Sequence, residues 1–436
     1  MKHQAKFKQT EIGEIPVDWE VKELREVLEQ IFSGGTPNTR IKSYWGGDIN
    51  WLSSGETNQV FIHNTKRKIT QDGINNSSTR LARKGDVVIA SAGQGNTRGQ
   101  TSYCMVDTYI NQSIISVRND KKILNSLYLF YNLVSRYNEL RNISDGNSSR
   151  GSLTTKLIAE LKIMLPSLSE QQSISKILSS LDKKIELNQK MNKTLEEIGQ
   201  ELFKHWFVDF EFPNEKGKPY KSHGGEVIDS EMGDIPKGWK IQELENISKI
   251  IDCLHTKKPE QIEEGRLLLQ VYNIGELATL NLNEKYYISE EDYIKWSKNI
   301  EVSEGDILLT NAGLTGAIIQ IPYNFKGAIG RNLTSIRYEN PYYLLAYLFS
   351  KHGQNQIQKN IDQGTIFSSL NVKGIKKIKI LIPPSYIFKN FELIYKNFRK
   401  MIEKNNFESM NLKQLRDLLL PKLISGKIRV PLENDK

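Results

Sequence analysis

The sequence predicts an α+β fold: two homologous α/β domains joined by two long helices that form an antiparallel coiled coil, related by an internal pseudo-twofold repeat. Three observations predict it. The phrase "IGEIPVDWEVKEL" (Ile12–Leu24) returns as "MGDIPKGWKIQEL" (Met232–Leu244), 220 residues later. Three more phrases recur after it in the same order. Each copy then ends in a long stretch of helical periodicity.

The recurring phrases define one α/β unit. "RKGDVVIASAG" (Arg83–Gly93) matches "SEGDILLTNAG" (Ser303–Gly313), again 220 apart, and "YINQSIISVR" (Tyr109–Arg118) matches "AIGRNLTSIR" (Ala328–Arg337) at 219. "LTTKLIAELKIMLP" (Leu153–Pro166) matches "LNVKGIKKIKILIP" (Leu370–Pro383) at 217. Slowly drifting offsets are those of a duplication with small loop deletions. "GDVVIASAG" and "GDILLTNAG" are β-branched runs bounded by Gly, Asp and Asn, and read as strands. "LNSLYLFYNLV" and "PYYLLAYLFS" read as amphipathic helices, followed by the strands "LKIMLP" and "IKILIP". Pro16 and Pro236 set a turn in each opening phrase, and Trp19 and Trp239 are its expected core anchors.

The long helices follow. Ile174, Ile177, Leu181, Ile185, Asn188, Leu195, Ile198 and Leu202 recur at steps of three, four or seven, with "SEQQ" from Ser169 as a start. Phe391, Ile394, Phe398, Ile402, Asn405, Leu412, Leu415 and Leu419 take the same stations in the second copy. Asn188 and Asn405 thus share one seam position, where a polar residue fixes register at a cost in stability; the alternative is that the seam widens there and both face solvent. A helix from Ser169 to Phe207 is about 58 Å long at 1.5 Å per residue, a ruler expected to run antiparallel to its mate with a domain at each end. The expected segments are residues 1–166 for the first domain, 167–210 for its spacer helix, 211–230 for a linker, 231–383 for the second domain and 384–436 for the second spacer helix and tail.

At 436 residues, 38% hydrophobic, the chain can build more than one core. Lys and Arg outnumber Asp and Glu by 60 to 51, a formal charge of +9, which suits a polyanion but also an ordinary basic protein. Cys104 and Cys253 lie in different halves with no second Cys or His at zinc-ligand spacing, so neither a metal site nor a disulfide is expected. The N-terminal stretch lacks a signal-peptide core and no run approaches the roughly 20 apolar residues of a membrane span. A soluble, cytoplasmic protein without a membrane partner is expected.

Catalytic constellations are missing. "IPPSY" (Ile382–Tyr386) lacks the polar residue of an adenine-methyltransferase loop and places its aromatic one position late, so a strand-to-helix turn explains it better. Glu160 and Lys162, with Asp145 upstream, have nuclease-like spacing, but the repeat substitutes Lys377 for Glu160. There is no phosphate-binding G-x-x-x-x-G-K-[ST] loop, and the histidines are scattered. No catalytic residue and no cofactor are assigned to this chain.

A matched pair of domains suits duplex DNA, whose half-sites carry related symmetry. The first-copy loops "SGGTPNTRIKSYWGGD" (Ser33–Asp48), "SAGQGNTRGQ" (Ser91–Gln100) and "SDGNSSRGS" (Ser144–Ser152) supply Thr36, Arg40, Lys42, Gln94, Asn96, Arg98, Ser148 and Arg150 as candidate DNA contacts, with Gln112 beside them. The second copy supplies His255, Lys257 and Lys258 from "IDCLHTKKP" (Ile251–Pro259), Asn311, Arg331 and Asn332, and Thr365 from "DQGTIFSS" (Asp362–Ser369). Arg suits guanine, Asn and Gln suit adenine, and Gly lets backbone approach phosphate. Such stretches also serve as plain surface turns. The two copies share framework phrases and differ in these loops, as two different half-sites require.

Over nearly its whole length the chain resembles the specificity subunits of type I restriction–modification enzymes. The resemblance rests on the duplicated opening phrases, "GGTPNTRIKSYWGGDINWLSSGE" (Gly34–Glu56), "LPSLSEQQSISKILSSLDKKIELNQ" (Leu165–Gln189), "LFKHWFVDFEF" (Leu202–Phe212) and "LRDLLLPKLISGKIRV" (Leu415–Val430). In the second helix "PPSYIFKNFEL" departs from the expected acidic-glutamine start. The resemblance implies two target-recognition domains that read the parts of a split DNA sequence across a spacer set by the helices. It also implies two methylation subunits carrying S-adenosylmethionine and flipping the adenine, and restriction/translocase subunits using ATP and Mg²⁺. Trp206, Phe207 and Phe210 could then dock a partner, or simply pack where the helix ends. Alternatives are a methylation-only complex and a coiled-coil scaffold that reads no sequence.

Overall fold

The computed structural model describes residues 6–93, 95–145, 151–363 and 368–430. The chain divides into two compact units, Met1–Glu186 with Ser409–Lys436, and Leu187–Glu408. These units differ from the expected segments in one respect: each takes in part of both long helices, instead of leaving the helices as separate spacers.

In the first unit a five-stranded sheet runs in the order Leu28–Ser33, Ile114–Asn119, Val87–Ala90, Thr101–Cys104, Phe61–Ile62. Only the last pair is parallel. Alternation along the strands sends Val87, Ile89, Ile115 and Val117 into one core with Tyr128 and Leu129 of the helix Ser126–Ser135. The opposite face sends Val88, Ile114 and Cys104 into a second core with Phe32 and Ile110. A four-stranded sheet follows the order Arg67–Ile69, Trp45–Leu52, Thr108–Ile110, Arg80–Ala82.

The second unit repeats this plan. Lys249–Asp252, Leu333–Arg337, Ile307–Thr310 and Ile318–Gln320 form an antiparallel sheet. Ile307, Leu309 and Ile336 join the helix Pro341–Phe349 in one core, while Leu308, Ile319 and Leu333 face the other. The repeated phrases acquire a physical reason. The strand after each opening turn pairs antiparallel with the last strand of its own copy, Glu20–Glu23 with Lys162–Leu165 and Lys240–Glu243 with Lys379–Ile382. The repeated Gly-Asp and the repeated Arg form one clamp. Arg118 gives Nε to Asp86 Oδ1 at 3.0 Å and Nη2 to Oδ2 at 2.7 Å; Arg337 makes the same two bonds to Asp306 at 2.7 and 2.6 Å. Gly85 and Gly305 precede the aspartates at φ 97° and 87°, a region that side-chain-bearing residues avoid.

Each long helix has 40 residues, Leu168–Phe207 and Ser385–Ile424, about 60 Å at 1.5 Å per residue. They run antiparallel within each unit. In the first, Arg416 Nη1 meets Asp182 Oδ1 at 2.7 Å, and Tyr131 donates to the other Asp182 oxygen at 2.7 Å. In the second, Tyr395 donates to Glu196 at 2.7 Å and Arg399 to the same carboxylate at 3.2 Å, while Phe203 packs on Phe391. Asn188 and Asn405 are both buried in the second unit. Asn188 donates to Glu408 at 2.9 Å and to the Asn405 carbonyl at 3.3 Å; Asn405 donates to Asn192 at 2.8 Å. The solvent-facing alternative for this pair is thereby excluded.

The apolar stations need correction. Ile177, Ile198 and Leu415 lie on the outer face, and the buried stripe of the first helix instead runs through Ile174, Leu178, Asp182, Ile185, Asn188, Asn192, Glu196, Gly199 and Phe203. Polar residues occupy the centre of the seam, so apolar periodicity does not mark it.

Gly199 fills a place where no side chain fits: a Cβ there would lie 2.4 Å from the Tyr395 ring. Gly199→Ala is expected to destabilise the second unit by about 1–3 kcal/mol, despite alanine's better helix propensity, read as a lowered urea midpoint. Glu392 accepts the Tyr343 amide at 2.6 Å, capping the helix Pro341–Phe349, whose own Asn340 makes no side-chain cap. Burial pushes this carboxyl from an ordinary 4.5 up to about 7, against the opposing pull of the Tyr343 and Tyr342 amides. Between those values the unfolded chain has lost the proton that the folded one retains. Stability contributed by the neutral form is therefore expected to fall as pH rises from about 4.5 to about 7, by up to a few kcal/mol. Thermal melts across that range should show the slope in the parent and a flatter profile in Glu392→Gln.

Candidate nucleic-acid interface

The clamp sits at one end of each central sheet, and the loops singled out from the sequence gather at the other. In the first unit the strand Val87–Ala90 leads to Ser91, whose amide donates to the Ser113 carbonyl at 2.9 Å and whose carbonyl accepts the Leu153 amide at 2.9 Å. In the second unit Asn311 stands at the same place, donating to the Asn332 carbonyl at 2.8 Å and accepting from the Leu370 amide at 2.8 Å. Three loops distant in sequence are thus stitched together by the same two backbone bonds in both copies.

Around the first stitch, the Gly35 amide donates to the Ile110 carbonyl at 3.0 Å, and a Cβ on Gly34 would lie 1.9 Å from that oxygen, so only glycine fits. This brings Thr36 against Gln112, to which its hydroxyl is hydrogen-bonded. Arg40 and Lys42 are exposed further along the loop, where the Asn38 side chain accepts the Arg40 amide at 3.0 Å. Asn96 is exposed, its carbonyl held by Tyr137 at 2.9 Å. Gln94, Ser148 and Arg150 lie outside the described residues.

Arg98 departs from the expectation of a base-reading side chain. It is buried and ion-paired with Asp145, so it braces the loop from behind. Asn311 is similarly engaged: its amide donates to the Leu370 carbonyl at 2.9 Å and its oxygen accepts from Thr334 at 3.0 Å. Both were chosen for hydrogen-bonding capacity, and the fold consumes that capacity internally.

Arg331 and Asn332 stand exposed at the second stitch, with Asn332 at φ 66° turning the chain into the strand Leu333–Arg337. The strand Lys249–Asp252 ends beside them, Asp252 pairing with Thr334, and delivers His255, Lys257 and Lys258 to the same edge. His255 Nε2 lies 2.8 Å from Asp252 Oδ2. Lys258 rests its ammonium 3.6 Å above the Tyr286 ring, and burial pushes its pKa down. Thr365 lies outside the described residues.

Two cations were missed. Arg67 stacks on Trp45 at 3.5 Å, and Arg80 on Phe32 at 4.2 Å. The phrases "TKRKIT" and "STRLARKGD" place these basic residues on strands, outside the Gly/Asn-rich loops.

The aromatic phrase after the first long helix also needs correction. Trp206, Phe207 and Phe210 are all buried, packing with Trp239, Tyr343 and Phe391 in the core of the second unit. They offer no exposed docking face. An equivalent closure operates in the first unit, where Arg429 of the tail grips Asp18 at 2.7 Å and Glu170 at 2.7 Å, and Glu170 accepts from the Trp19 indole at 3.0 Å.

Comparison with known proteins follows this geometry. Residues 16–197 match the family model "Type I restriction modification DNA specificity domain". The type I restriction enzyme MjaIX specificity subunit of Methanocaldococcus jannaschii is 29% identical, covering 98% of this chain and 97% of the relative. Along nearly its whole length the chain is similar to type I specificity subunits, and its residues 16–197 match the family's DNA specificity domain. The HindI specificity subunit of Haemophilus influenzae is 22% identical over 87% of this chain and 94% of its own. A crystal structure of the specificity subunit from M. genitalium shares the fold, with a TM-score of 0.59 and 15% identity over 96% of this chain and 98% of that one. Among the described residues no helix is long and apolar enough to cross a membrane.

The two kinds of arginine found here should separate experimentally. Arg98→Ala is expected to lower the stability of the first unit by about 1–3 kcal/mol through loss of the packing of its buried side chain, whereas Arg40→Ala should leave the melting curve within about 0.5 kcal/mol of the parent.

Proposed function

We propose that this chain is a specificity subunit that reads a bipartite, asymmetric DNA target, one part with each copy of the repeat, and directs adenine methylation and cleavage performed by partner subunits. The chain itself is non-catalytic in this reading. Two methylation subunits would supply S-adenosylmethionine and the modifying site, and restriction/translocase subunits would supply ATP- and Mg²⁺-dependent cleavage. The segment assignments 1–166 and 231–383 remain the proposed target-recognition domains, with 167–210 and 384–436 as the spacer-helix segments and 211–230 as the linker.

The observation that carries this reading is the pair of equivalent stitches. An identical framework presents loops of different composition at the same end of each sheet: Thr36, Arg40, Lys42, Asn96 and Gln112 in one copy, and His255, Lys257, Lys258, Arg331 and Asn332 in the other. Exposed Arg, Lys, Asn and Gln can hold phosphates and read base edges. The buried amides of Asn188 and Asn405 are proposed to fix helix register, since a slip would leave them unpaired.

The test is single-base methylation mapping in cells expressing the chain with its methylation subunit. A split motif is expected. Arg331→Ala should relax or weaken recognition of one part only, by about 1–3 kcal/mol per lost base contact, with the other part unchanged. A continuous motif, or loss of both parts together, would defeat the bipartite reading.

A further inference from the structure

A second chemistry lies at the end of the second sheet. Asp252, Cys253 and His255 place a carboxylate oxygen, a thiol sulfur and an imidazole nitrogen within 4.8 Å of one another. They come from four consecutive positions, "DCLH". Asp252 is the last residue of its strand, and Cys253 and His255 follow it in irregular backbone. A mixed set of one Asp, one Cys and one His lacks the paired Cys or His spacing of common zinc motifs.

The supporting contacts resemble those around a metal centre. Asp252 Oδ1 is held by the Cys253 amide at 2.9 Å and the Thr334 hydroxyl at 3.4 Å, leaving Oδ2 toward His255. Such outer contacts orient a ligating carboxylate. Cys253 is 4% exposed, whereas the His255 side chain is 74% exposed, so the cluster is walled on the sulfur side and open on the imidazole side. Tetrahedral zinc, with bonds of about 2.0–2.3 Å, holds its ligand atoms about 3.3–3.8 Å apart, within the 4.8 Å that the three atoms span here.

We propose that Asp252, Cys253 and His255 bind one divalent cation of the zinc class, with solvent in the fourth position. Sulfur and imidazole donors select such a borderline ion over magnesium or calcium. The ion clips the segment 252–258 to the sheet end, where Lys257, Lys258 and Arg331 are also carried. The site does not depend on the DNA-reading proposal, because its occupancy is measured without DNA.

The full-length chain, with its partner subunits where they are needed for solubility, is stripped with chelator and titrated with cobalt(II), then zinc. Expected are about one ion per chain in native mass spectra, a thiolate-to-cobalt charge-transfer band, and displacement of that band by zinc. Zinc at about 100 times its Kd should raise the unmodified protein's stability by about 2.7 kcal/mol, seen as a higher melting temperature. Cys253→Ser should abolish the band, His255→Ala should weaken binding by at least about tenfold, and Cys104→Ser, altering the buried cysteine of the other unit, should change neither. Failure of the unmodified protein to retain cobalt or zinc, or a band that survives Cys253→Ser, would overturn the site. Because the first readout uses unmodified protein, misfolding of a variant cannot mimic either outcome.

Discussion

The bidentate pair of arginine and aspartate, Arg118 with Asp86 and Arg337 with Asp306, is the constraint on which the candidate interface depends. Each pair joins the start of one central strand to the end of its antiparallel neighbour, Val87 opposite Val117 and Ile307 opposite Ile336. A one-residue slip would send every side chain of the strand to the opposite face. With the register held at this end, the loops at the far end emerge in fixed order. The loops can therefore vary in composition while the scaffold stays the same, and the two copies differ in just that way.

The helices follow another logic. A purely apolar seam would tolerate several registers, whereas Asn188, Asn192 and Asn405 bond only to particular partners, and Glu196 is matched to Tyr395 and Arg399. Polar contacts of this kind need not add stability, because burying charge costs about as much as pairing returns. What they supply is a preference for one alignment. Gly199 belongs to the same design, since its missing side chain is the space that the Tyr395 ring occupies.

Much of this was legible in the sequence, for identifiable reasons. Val87–Ala90 and Ile307–Thr310 were recognisable because β-branched residues sit between glycine and asparagine, and the repeat supplied each segment with an independent copy. The 40-residue helices were legible from length and spacing, yet their buried face was misjudged at Ile177, Ile198 and Leu415. Apolar periodicity marks a seam only where the seam is apolar. The reading surface was legible as a set of loops but not residue by residue. Arg98 and Asn311 have the same chemistry as Arg331 and Asn332, and only the fold decides which pair is spent inside. Trp206, Phe207 and Phe210 show the converse: an aromatic run cannot announce from sequence whether it meets a partner or its own core.

The tail gives the chain a temporal asymmetry. Leu420, Leu423, Ile424 and Val430 belong to the same core as Trp19 and Leu24, and Arg429 binds carboxylates at Asp18 and Glu170. The second unit, by contrast, is one continuous stretch, Leu187–Glu408. On a ribosome, the part begun first is the part that cannot be finished until the segment 409–430 has been joined, and the part begun second has all its pieces earlier. A product cut short near residue 408 would hold a whole second unit and an unclosed first one, with Trp19 left waiting for its cover.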